Sequence, residues 1–234
     1  MSIIDILSIK LPQGDYNQIN EQLKSQFPWL ITNDILALKR DIDQLRSFLG
    51  RLLLVYMLRK KALISSIGEV CILKNSSGKP YIKERPNIQF NISHSGQWVT
   101  CAVSNQNVGI DIEEIKPVDY RALLNYFLSS YEKNLFNYVL EENQLKYFFC
   151  IWTAKESYVK AIGLGLQIPL HSFSVVNNKI INNTHNSETQ ALFKIKTYSS
   201  LEGHILTACG RENCFPEDVS CIEFEHLINS MHIN

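Results

Sequence analysis

The fold that this sequence predicts is a mixed α/β architecture of two pseudo-symmetric lobes, each a long helix packed on a small, mostly antiparallel sheet. Two stretches, residues 43–63 and 144–162, repeat apolar residues at helical spacing. Each is followed by short segments rich in β-branched and aromatic residues, which favour strands. A helix followed by a meander of strands, written twice, predicts two similar α/β units.

A regular offset between the two halves also predicts two lobes. The residues that keep an offset of about half the chain are Arg46 and Glu156, His94 and His204, and Ile110 and Ile222. We therefore expect an N-terminal lobe over 1–104, a C-terminal lobe over 105–234, and an active site between them, because ligand sites favour such junctions.

The composition is that of a folded chain without bulk charge. Of 234 residues, 45% are hydrophobic, which is enough for a substantial core. Lys and Arg together number 23, as do Asp and Glu, so the balance argues against nucleic acid or an anionic membrane as partner. Asp5 and Lys10 interrupt the stretch where a signal peptide would be apolar, and the longest apolar run is too short to span a bilayer. We expect a cytoplasmic monomer with reduced cysteines.

The first half is predicted to contain a long helix and four strands. Residues 43–63 begin with Asp43, which suits the N-cap of a helix. Short strands follow in the segments VCILK and PYI. Residues 87–104, NIQFNISHSGQWVTCAVS, predict two strands joined by a tight turn at Ser-His-Ser-Gly.

The second half is predicted to open with a strand at 108–113 and to continue with the helix 144–162, which ends at Gly163. Further strands are predicted in FSVV and in ALFKIKTYSSLEGHILTAC, and VSCIEFE closes the lobe. Residues 177–190 are polar and rich in Asn, which predicts a flexible surface loop.

Two acids stand on one face of the strand at 108–113. Apolar residues alternate there with Gly109, Asp111 and Glu113, so period-2 geometry points both carboxylates the same way. An edge strand whose polar face meets water would have this pattern. A cation site would have it as well, because one short strand then supplies two oxygen ligands.

A third carboxylate lies on the helix that follows. Trp152, Glu156 and Lys160 share one face at i, i+4 and i+8. One interpretation is a solvent-facing Glu–Lys pair on the helix surface. In the other, Glu156 joins the strand acids around Mg²⁺, and Lys160 meets a phosphoryl group. The packing stripe of this helix is formed by Ile151, Ala154, Tyr158 and Ile162.

Four ordered motifs carry a family resemblance. VGIDIEEIKP and WTAKESYVKAIGLGL together resemble the signature of the 4′-phosphopantetheinyl transferases. GKPYI and PNIQFNISHSGQWV resemble the larger, two-lobed surfactin-synthetase-activating (Sfp-like) branch, which is similar to two fused copies of the small acyl-carrier-protein synthase. The similarity runs from about Asp43 to about Val176, over more than half the chain.

The resemblance implies a reaction and a metal site. Members of the family transfer 4′-phosphopantetheine from coenzyme A to a serine of an apo acyl or peptidyl carrier protein and release adenosine 3′,5′-bisphosphate. By position, Asp111, Glu113 and Glu156 would hold Mg²⁺, or Mn²⁺ in its place, against the pyrophosphate. Glu156 is the base candidate for the attacking serine, while Glu113 and a hydroxide held by the metal remain alternatives. Lys160 would neutralise pyrophosphate charge.

The resemblance also implies contacts to coenzyme A. Ser93 and His94 match the pair that grips its phosphates, Arg46 matches the arginine at the 3′-phosphate, and Lys79 matches the position beside the adenine. Further basic residues for the 3′-phosphate align with Lys39 and Arg40. The carrier would dock on residues 114–128 and on the segment AIGLGLQIPL that follows Lys160.

Two other functions compete with this one. A non-catalytic carrier-binding homologue would most simply have lost one of the three acids, and all three are present. A Mg²⁺-dependent nucleotide phosphohydrolase could use the same acids, but it would have no reason to carry GKPYI and FNISHSG together. The carrier or pathway that is served does not follow from these motifs.

Overall fold

Two sheets and two long helices make up most of the fold. The computed structural model describes residues 4–66, 70–182, 193–211 and 215–232. The helices are α1 (Tyr16–Gln26), α2 (Asn33–Leu36), α3 (Asp41–Lys60), α4 (Tyr120–Phe127), α5 (Ser130–Phe136), α6 (Glu141–Ile162) and α7 (Phe224–His232). The strands are β1 (Asp5–Lys10), β2 (Ile72–Lys74), β3 (Pro80–Ile82), β4 (Gln89–Ser95), β5 (Trp98–Ser104), β6 (Val108–Glu114), β7 (Phe173–Val176), β8 (Lys179–Asn182), β9 (Lys194–Tyr198), β10 (His204–Gly210) and β11 (Ser220–Ile222).

The strands form two main sheets and a short ribbon. One sheet has four strands in the order β11-β1-β5-β4, the other has five in the order β6-β10-β9-β8-β7, and β2 pairs with β3. Pairing is antiparallel except between β1 and β11, which run parallel. The predicted mixed α/β class and the mostly antiparallel pairing are confirmed.

Helix α3 packs its apolar face on the four-stranded sheet. Leu45, Phe48 and Leu52 are fully buried there, in a cluster that includes Val99 of β5. The prediction that Asp43 caps this helix is wrong, because the helix begins at Asp41. Asp43 lies in the first turn, where its negative charge stabilises the helix by interacting with the positive end of the helix dipole.

Helix α6 packs against β6 and β10 of the five-stranded sheet. Its predicted packing stripe is confirmed, since Ile151, Ala154 and Tyr158 are buried and the half-buried Ile162 packs against the same cluster as Ala154 and Tyr158. The helix ends at Gly163, which has a left-handed backbone with φ of 73°, as a C-terminal glycine should. A Cβ atom built on Gly109 of β6 would lie 2.0 Å from the carbonyl oxygen of Ser157, so only glycine allows α6 to come this close.

A buried ion pair fastens α6 to its neighbours. Lys155 Nζ lies 2.6 Å from Glu132 Oε2, and both side chains are fully buried. Lys155 also donates to the carbonyls of Phe127, Leu170 and Phe173 at 2.7–2.8 Å. Because every proton of this ammonium has an acceptor, the pair ties α6 to the segments on either side of it.

The last part of the chain returns to the first sheet. Strand β11 pairs with β1, and Leu227, Ile228 and Met231 of α7 join the core around α3. The segment VSCIEFE therefore does not close the second lobe as predicted. The offset that matched Ile222 with Ile110 compares strands of different sheets. The match misled because a parallel strand and an antiparallel strand can have the same local pattern of apolar residues.

Two loop predictions also differ from the structure. The hairpin between β4 and β5 turns at Gly96, with φ of 52°, and Gln97, so Ser93 and His94 lie on β4 rather than in the turn. The polar segment predicted as a flexible loop begins with a tight turn at Asn177 and Asn178 and continues as β8, which pairs with β7. Residues 183–190 of that prediction lie outside the described residues.

No helix in the described ranges is both long enough and apolar enough to cross a membrane. The cysteines that the structure describes are all free: Cys71, Cys101, Cys150, Cys209 and Cys221. Cys101 and Cys209 are buried in the sheets, where burial raises the pKa of each thiol well above its usual range.

The contact at Gly109 predicts how two glycine substitutions differ. In Gly109→Ala the new methyl meets backbone atoms of α6, which cannot yield, so the loss in free energy of unfolding should reach or exceed the usual overpacking cost of about 1–3 kcal/mol. In Gly210→Ala the methyl meets the end of the Ile4 side chain, which can rotate. Urea unfolding measures both, and equal losses would contradict the close approach of α6 to β6.

Candidate active site at the seam between the sheets

Asp111 and Glu113 of β6 face a cleft between the two sheets. Ile110 and Ile112 are buried in the core, and Asp111 between them is 4% exposed. The interpretation of β6 as a water-facing edge strand is therefore wrong. One side of β6 is paired with β10, and its other side lies against β4 of the first sheet.

Side chains of β4 connect it to the backbone of β6. Asn91 Oδ1, Ser93 Oγ and Ser95 Oγ accept hydrogen bonds from alternate N–H groups of β6, those of Ile110, Ile112 and Glu114, at 2.8, 3.4 and 3.1 Å. The three side chains are spaced by two residues because β4 presents every second residue on this face. We call Asn91, Ser93 and Ser95 the polar comb.

The two serines of the polar comb also hold the acids. Ser93 donates to Asp111 Oδ1 at 3.0 Å, and Ser95 donates to Glu113 Oε2 at 2.8 Å. Each hydroxyl thus accepts from one backbone N–H and donates to the carboxylate of the preceding residue. Asn91 follows the same rule without an acid, because the residue before Ile110 is Gly109.

Helix α6 supplies the opposite wall of the cleft. Between Ile151 and Lys160, only Trp152, Glu156 and Lys160 are not buried. With Ser93, His94, Asp111 and Glu113, these three line a cavity of about 350 Å³. The predicted shared face of α6 is confirmed, but the interpretation as a solvent-facing Glu–Lys pair is wrong, since Lys160 Nζ lies 2.5 Å from Asp111 Oδ1.

The three carboxylates are electrostatically crowded. Burial raises the pKa of Asp111, although Lys160 and Ser93 oppose the effect. Burial and the charge of Asp111 raise the pKa of Glu113, whose bond from Ser95 acts the other way. Burial, Asp111 and Glu113 all raise the pKa of Glu156. The cleft therefore holds more negative charge than Lys160 alone can neutralise.

The cluster has room for a further cation without being a finished metal site. Asp111 Oδ2 is buried and has no hydrogen-bond partner, as a free ligand atom would be. Within the ranges that the structure describes, no three His, Cys, Asp or Glu side chains converge closely enough to coordinate a metal as they stand. The donor set is all oxygen, which suits Mg²⁺.

Of the residues predicted to bind coenzyme A, Ser93, His94 and Lys160 line this cleft, and Arg46 lies at the hairpin that follows His94. Arg46 is largely buried; it bonds Asp43 Oδ1 at 3.0 Å, donates to the carbonyl of Gly96, and its Nε is buried without a partner. Arg40 is exposed and pairs with the other oxygen of Asp43 at 2.6 Å. Asp43 therefore brings two of the predicted basic residues together, and the neighbouring Lys39 is exposed.

His94 and Ser93 differ in how free their polar groups are. His94 has an exposed edge, and desolvation of its ring together with the charge of Arg46 lowers its pKa. The Ser93 hydroxyl already donates to Asp111 and accepts from Ile112 and from Lys160 Nζ at 3.2 Å. The predicted role of Ser93 in binding a phosphate therefore competes with these bonds.

Two further cavities adjoin the cleft. One, of about 260 Å³, shares Glu156 and Lys160 with it and is lined by Lys79. Lys79 donates to the carbonyl of Ala161 at 2.8 Å, and burial lowers its pKa to about 8. The other, of about 310 Å³, shares His94 and is lined by Arg51 and apolar side chains. The cleft with the acids therefore shares lining residues with both neighbouring cavities.

Sequence reasoning missed Ser95, Asn91 and Lys155. The comb had a visible signal, since Asn91, Ser93 and Ser95 recur at every second position of a strand, but their partners on β6 are not local in sequence. Lys155 is next to the predicted Glu156 in sequence, but its burial was not predicted because lysines are seldom buried in proteins.

Comparison with known proteins gives one consistent result. Residues 107–209 match the model of the 4′-phosphopantetheinyl transferase superfamily, and residues 32–106 match that of the 4′-phosphopantetheinyl transferase N-terminal region. The chain is 37% identical to 4′-phosphopantetheinyl transferase Sfp of Bacillus subtilis over 154 residues, 64% of this chain and 67% of that protein. It is 28% identical to 4′-phosphopantetheinyl transferase psf-1 of Bacillus pumilus over 231 residues, which cover 97% and 98% of the two chains.

The crowding of the acids predicts a pH-dependent effect of Glu156→Gln. A carboxyl whose pKa is raised by folding costs stability once it ionises, so the wild type loses stability as the pH rises above the ordinary value of 4.5. The variant should match the wild type at about pH 4 and be more stable at about pH 7.5, by chemical unfolding in a chelator. The exposed Glu142→Gln serves as control, and a variant less stable at the higher pH would refute the crowding.

Proposed function

Because this chain belongs to the 4′-phosphopantetheinyl transferase superfamily, we propose that it transfers 4′-phosphopantetheine from coenzyme A to a serine of an apo acyl or peptidyl carrier protein and releases adenosine 3′,5′-bisphosphate. Membership gives the enzyme class, which acts on carrier proteins with coenzyme A. The observation that carries the proposal is the meeting of Asp111, Glu113, Glu156 and Lys160 in one cleft. Phosphoryl transfer needs little more than positioning and neutralisation of charge.

The acids of the cleft are suited to a divalent cation. Asp111, Glu113 and Glu156 would hold Mg²⁺, with Mn²⁺ as a substitute, which neutralises the charge of the pyrophosphate. Two observations support this: the unpartnered Asp111 Oδ2, and the raised pKa of each of the three carboxyls. The side chains must draw together around the ion, because they do not converge without it.

Lys160 has two roles in this proposal. Without cosubstrate, its ammonium group neutralises Asp111 at 2.5 Å. When the pyrophosphate enters, the flexible four-carbon stem lets the ammonium move to a phosphate oxygen, where positive charge stabilises the developing negative charge. Asp111 Oδ1 then keeps only its bond from Ser93, so the carboxylate is available to the cation.

We propose that coenzyme A binds across the cleft and the surfaces next to it. Its pyrophosphate would lie at the cleft, within reach of Lys160, His94 and Ser93. Its 3′-phosphate would meet Arg46, whose Nε is unpartnered, with Arg40 and Lys39 at the rim. Lys79 lines the cavity that joins the cleft at Glu156, and we propose that it contacts the cosubstrate there.

The attacking serine needs a proton acceptor, and Glu156 is the better candidate. The pKa of both carboxyls is raised, but the hydrogen bond that Glu113 accepts from Ser95 lowers its basicity, whereas both strand acids raise the pKa of Glu156 towards what proton transfer requires. The serine oxygen forms a bond to the phosphorus that carries pantetheine. The bond from that phosphorus to the adenosine bisphosphate breaks, and the serine proton passes to Glu156.

The carrier protein would dock beside the cleft on α4 and on the segment after α6. Tyr126 on α4 is 76% exposed, and Leu123 and Leu164 are exposed as well. Phe127 of α4 packs edge-on against Trp152, which lines the cleft, so this surface leads directly to the acids. Exposed aromatic and aliphatic groups of this kind are common at protein interfaces.

The proposal predicts a mass gain on a carrier protein. Purified protein with Mg²⁺ and coenzyme A should add one phosphopantetheine to an apo carrier, as measured by mass spectrometry over a panel of fatty-acid, polyketide and peptide carriers. Asp111→Asn should abolish most of the transfer while the protein keeps its circular dichroism spectrum. Absence of any mass gain across the panel would overturn the proposal.

Arg46 predicts a separation of cosubstrate binding from chemistry. A contact to the 3′-phosphate is far from the reacting bond, so Arg46→Ala should raise KM for coenzyme A with little change in kcat. A charged hydrogen bond is worth roughly 1.5–3 kcal/mol, or about ten- to a hundredfold in affinity.

Dephospho-coenzyme A, which lacks the 3′-phosphate, is the control for this prediction. Wild type and Arg211→Ala, which alters an exposed arginine after β10, should both bind it more weakly than coenzyme A. Arg46→Ala should hardly distinguish the two cosubstrates. If that variant discriminates as strongly as wild type, Arg46 does not meet the 3′-phosphate.

A further inference from the structure

Ser95 is the one member of the polar comb that bonds Glu113, and none of the family motifs assigns it a role. It is 9% exposed, at the end of β4, and its hydroxyl lies between two groups of β6. The N–H of Glu114 donates to Ser95 Oγ at 3.1 Å, and Ser95 Oγ donates to Glu113 Oε2 at 2.8 Å.

This arrangement fixes the direction of the hydroxyl proton. A serine hydroxyl has one proton to donate, and here the backbone N–H of Glu114 occupies the acceptor side. The proton is therefore directed at Glu113 Oε2, which anchors one oxygen of a carboxylate that lines the cleft. Bonds that orient ligating carboxylates are a regular part of metal sites.

The comparison along the comb supports a specific role rather than a merely structural one. Asn91 occupies the same geometry where β6 has no acid, and it uses an amide oxygen that accepts from Ile110. At the two positions where β6 has an acid, the comb has a hydroxyl, which can accept and donate at once. The comb therefore has serine where a carboxylate must be held and asparagine where there is none.

We propose that Ser95 is a positioning residue that aims the Glu113 carboxylate and thereby sets the affinity of the acid cluster for a divalent cation. The inference rests on the proposed function, since it takes Glu113 as a ligand of that cation. It differs from the role given to Ser93, whose hydroxyl is shared with Lys160 and lies in the cleft itself.

Direct binding of Mn²⁺, followed by the electron paramagnetic resonance signal of the free ion, tests the proposal on the full chain. Loss of an orienting bond of this kind typically weakens metal binding by about 10–100-fold, which we expect for Ser95→Ala. Ser95→Thr keeps the hydroxyl and should bind Mn²⁺ within a few-fold of wild type. In the transfer assay, Ser95→Ala should need more Mg²⁺ for half-maximal rate, with kcat largely recovered at saturating Mg²⁺.

Ser8→Ala is the matched control. Ser8 is a fully buried serine of the same sheet, and its hydroxyl donates to Thr100 at 3.0 Å with no acid involved. The proposal is overturned if Ser95→Ala binds Mn²⁺ as wild type does, if Ser8→Ala weakens binding equally, if Ser95→Thr is no better than Ser95→Ala, or if wild type binds no Mn²⁺. The mass gain of a carrier with wild-type protein tests the proposed function separately, because it does not depend on Ser95.

Discussion

The site depends on the close approach of α6 to β6 at Gly109. No side chain separates the two elements there, and the carbonyl oxygen of Ser157 lies 2.0 Å from the position that a Cβ atom would take. The approach brings the cleft-lining face of the helix, with Glu156 and Lys160, over Asp111 and Glu113 of the strand. A wider spacing would put Lys160 out of reach of Asp111, because ion pairs weaken with distance and with the water that enters between them.

The two sheets are then joined by side chains at the cleft proposed as the active site. The polar comb of Asn91, Ser93 and Ser95 satisfies alternate N–H groups of β6. A continuous backbone ladder would have satisfied the same groups without touching a carboxylate. Because the hydroxyls of Ser93 and Ser95 accept hydrogen bonds from two of these N–H groups, they can also donate to Asp111 and Glu113 and orient them. The same hydrogen bonds therefore join the two sheets and orient the carboxylates of the cleft.

Two lysines of α6, one buried and one at the cleft, show how the fold separates support from reactivity. Lys155 has four acceptors, including Glu132, and no exposed surface, so its position is fixed. Lys160, on the same helix, has one carboxylate and one hydroxyl, and it borders the cleft. Lys155 holds α6 in place, whereas the ammonium group of Lys160 stays at the cleft, where the proposed mechanism pairs it with a phosphate. Three carboxyls with raised pKa around Lys160 leave the cleft ready for added positive charge.

Local periodicity determined much of this protein from its sequence: the long helices, the alternation that sets Asp111 and Glu113 on one face, and the helix face shared by Glu156 and Lys160. Such patterns express side-chain direction within one element, which neighbouring residues fix. Only the tertiary structure decided that β11 returns to the first sheet, that Ser95 holds Glu113, and that Lys160 pairs with Asp111 rather than with Glu156. These contacts join residues distant in sequence, and their geometry is set by how whole sheets and helices pack, which no local pattern records.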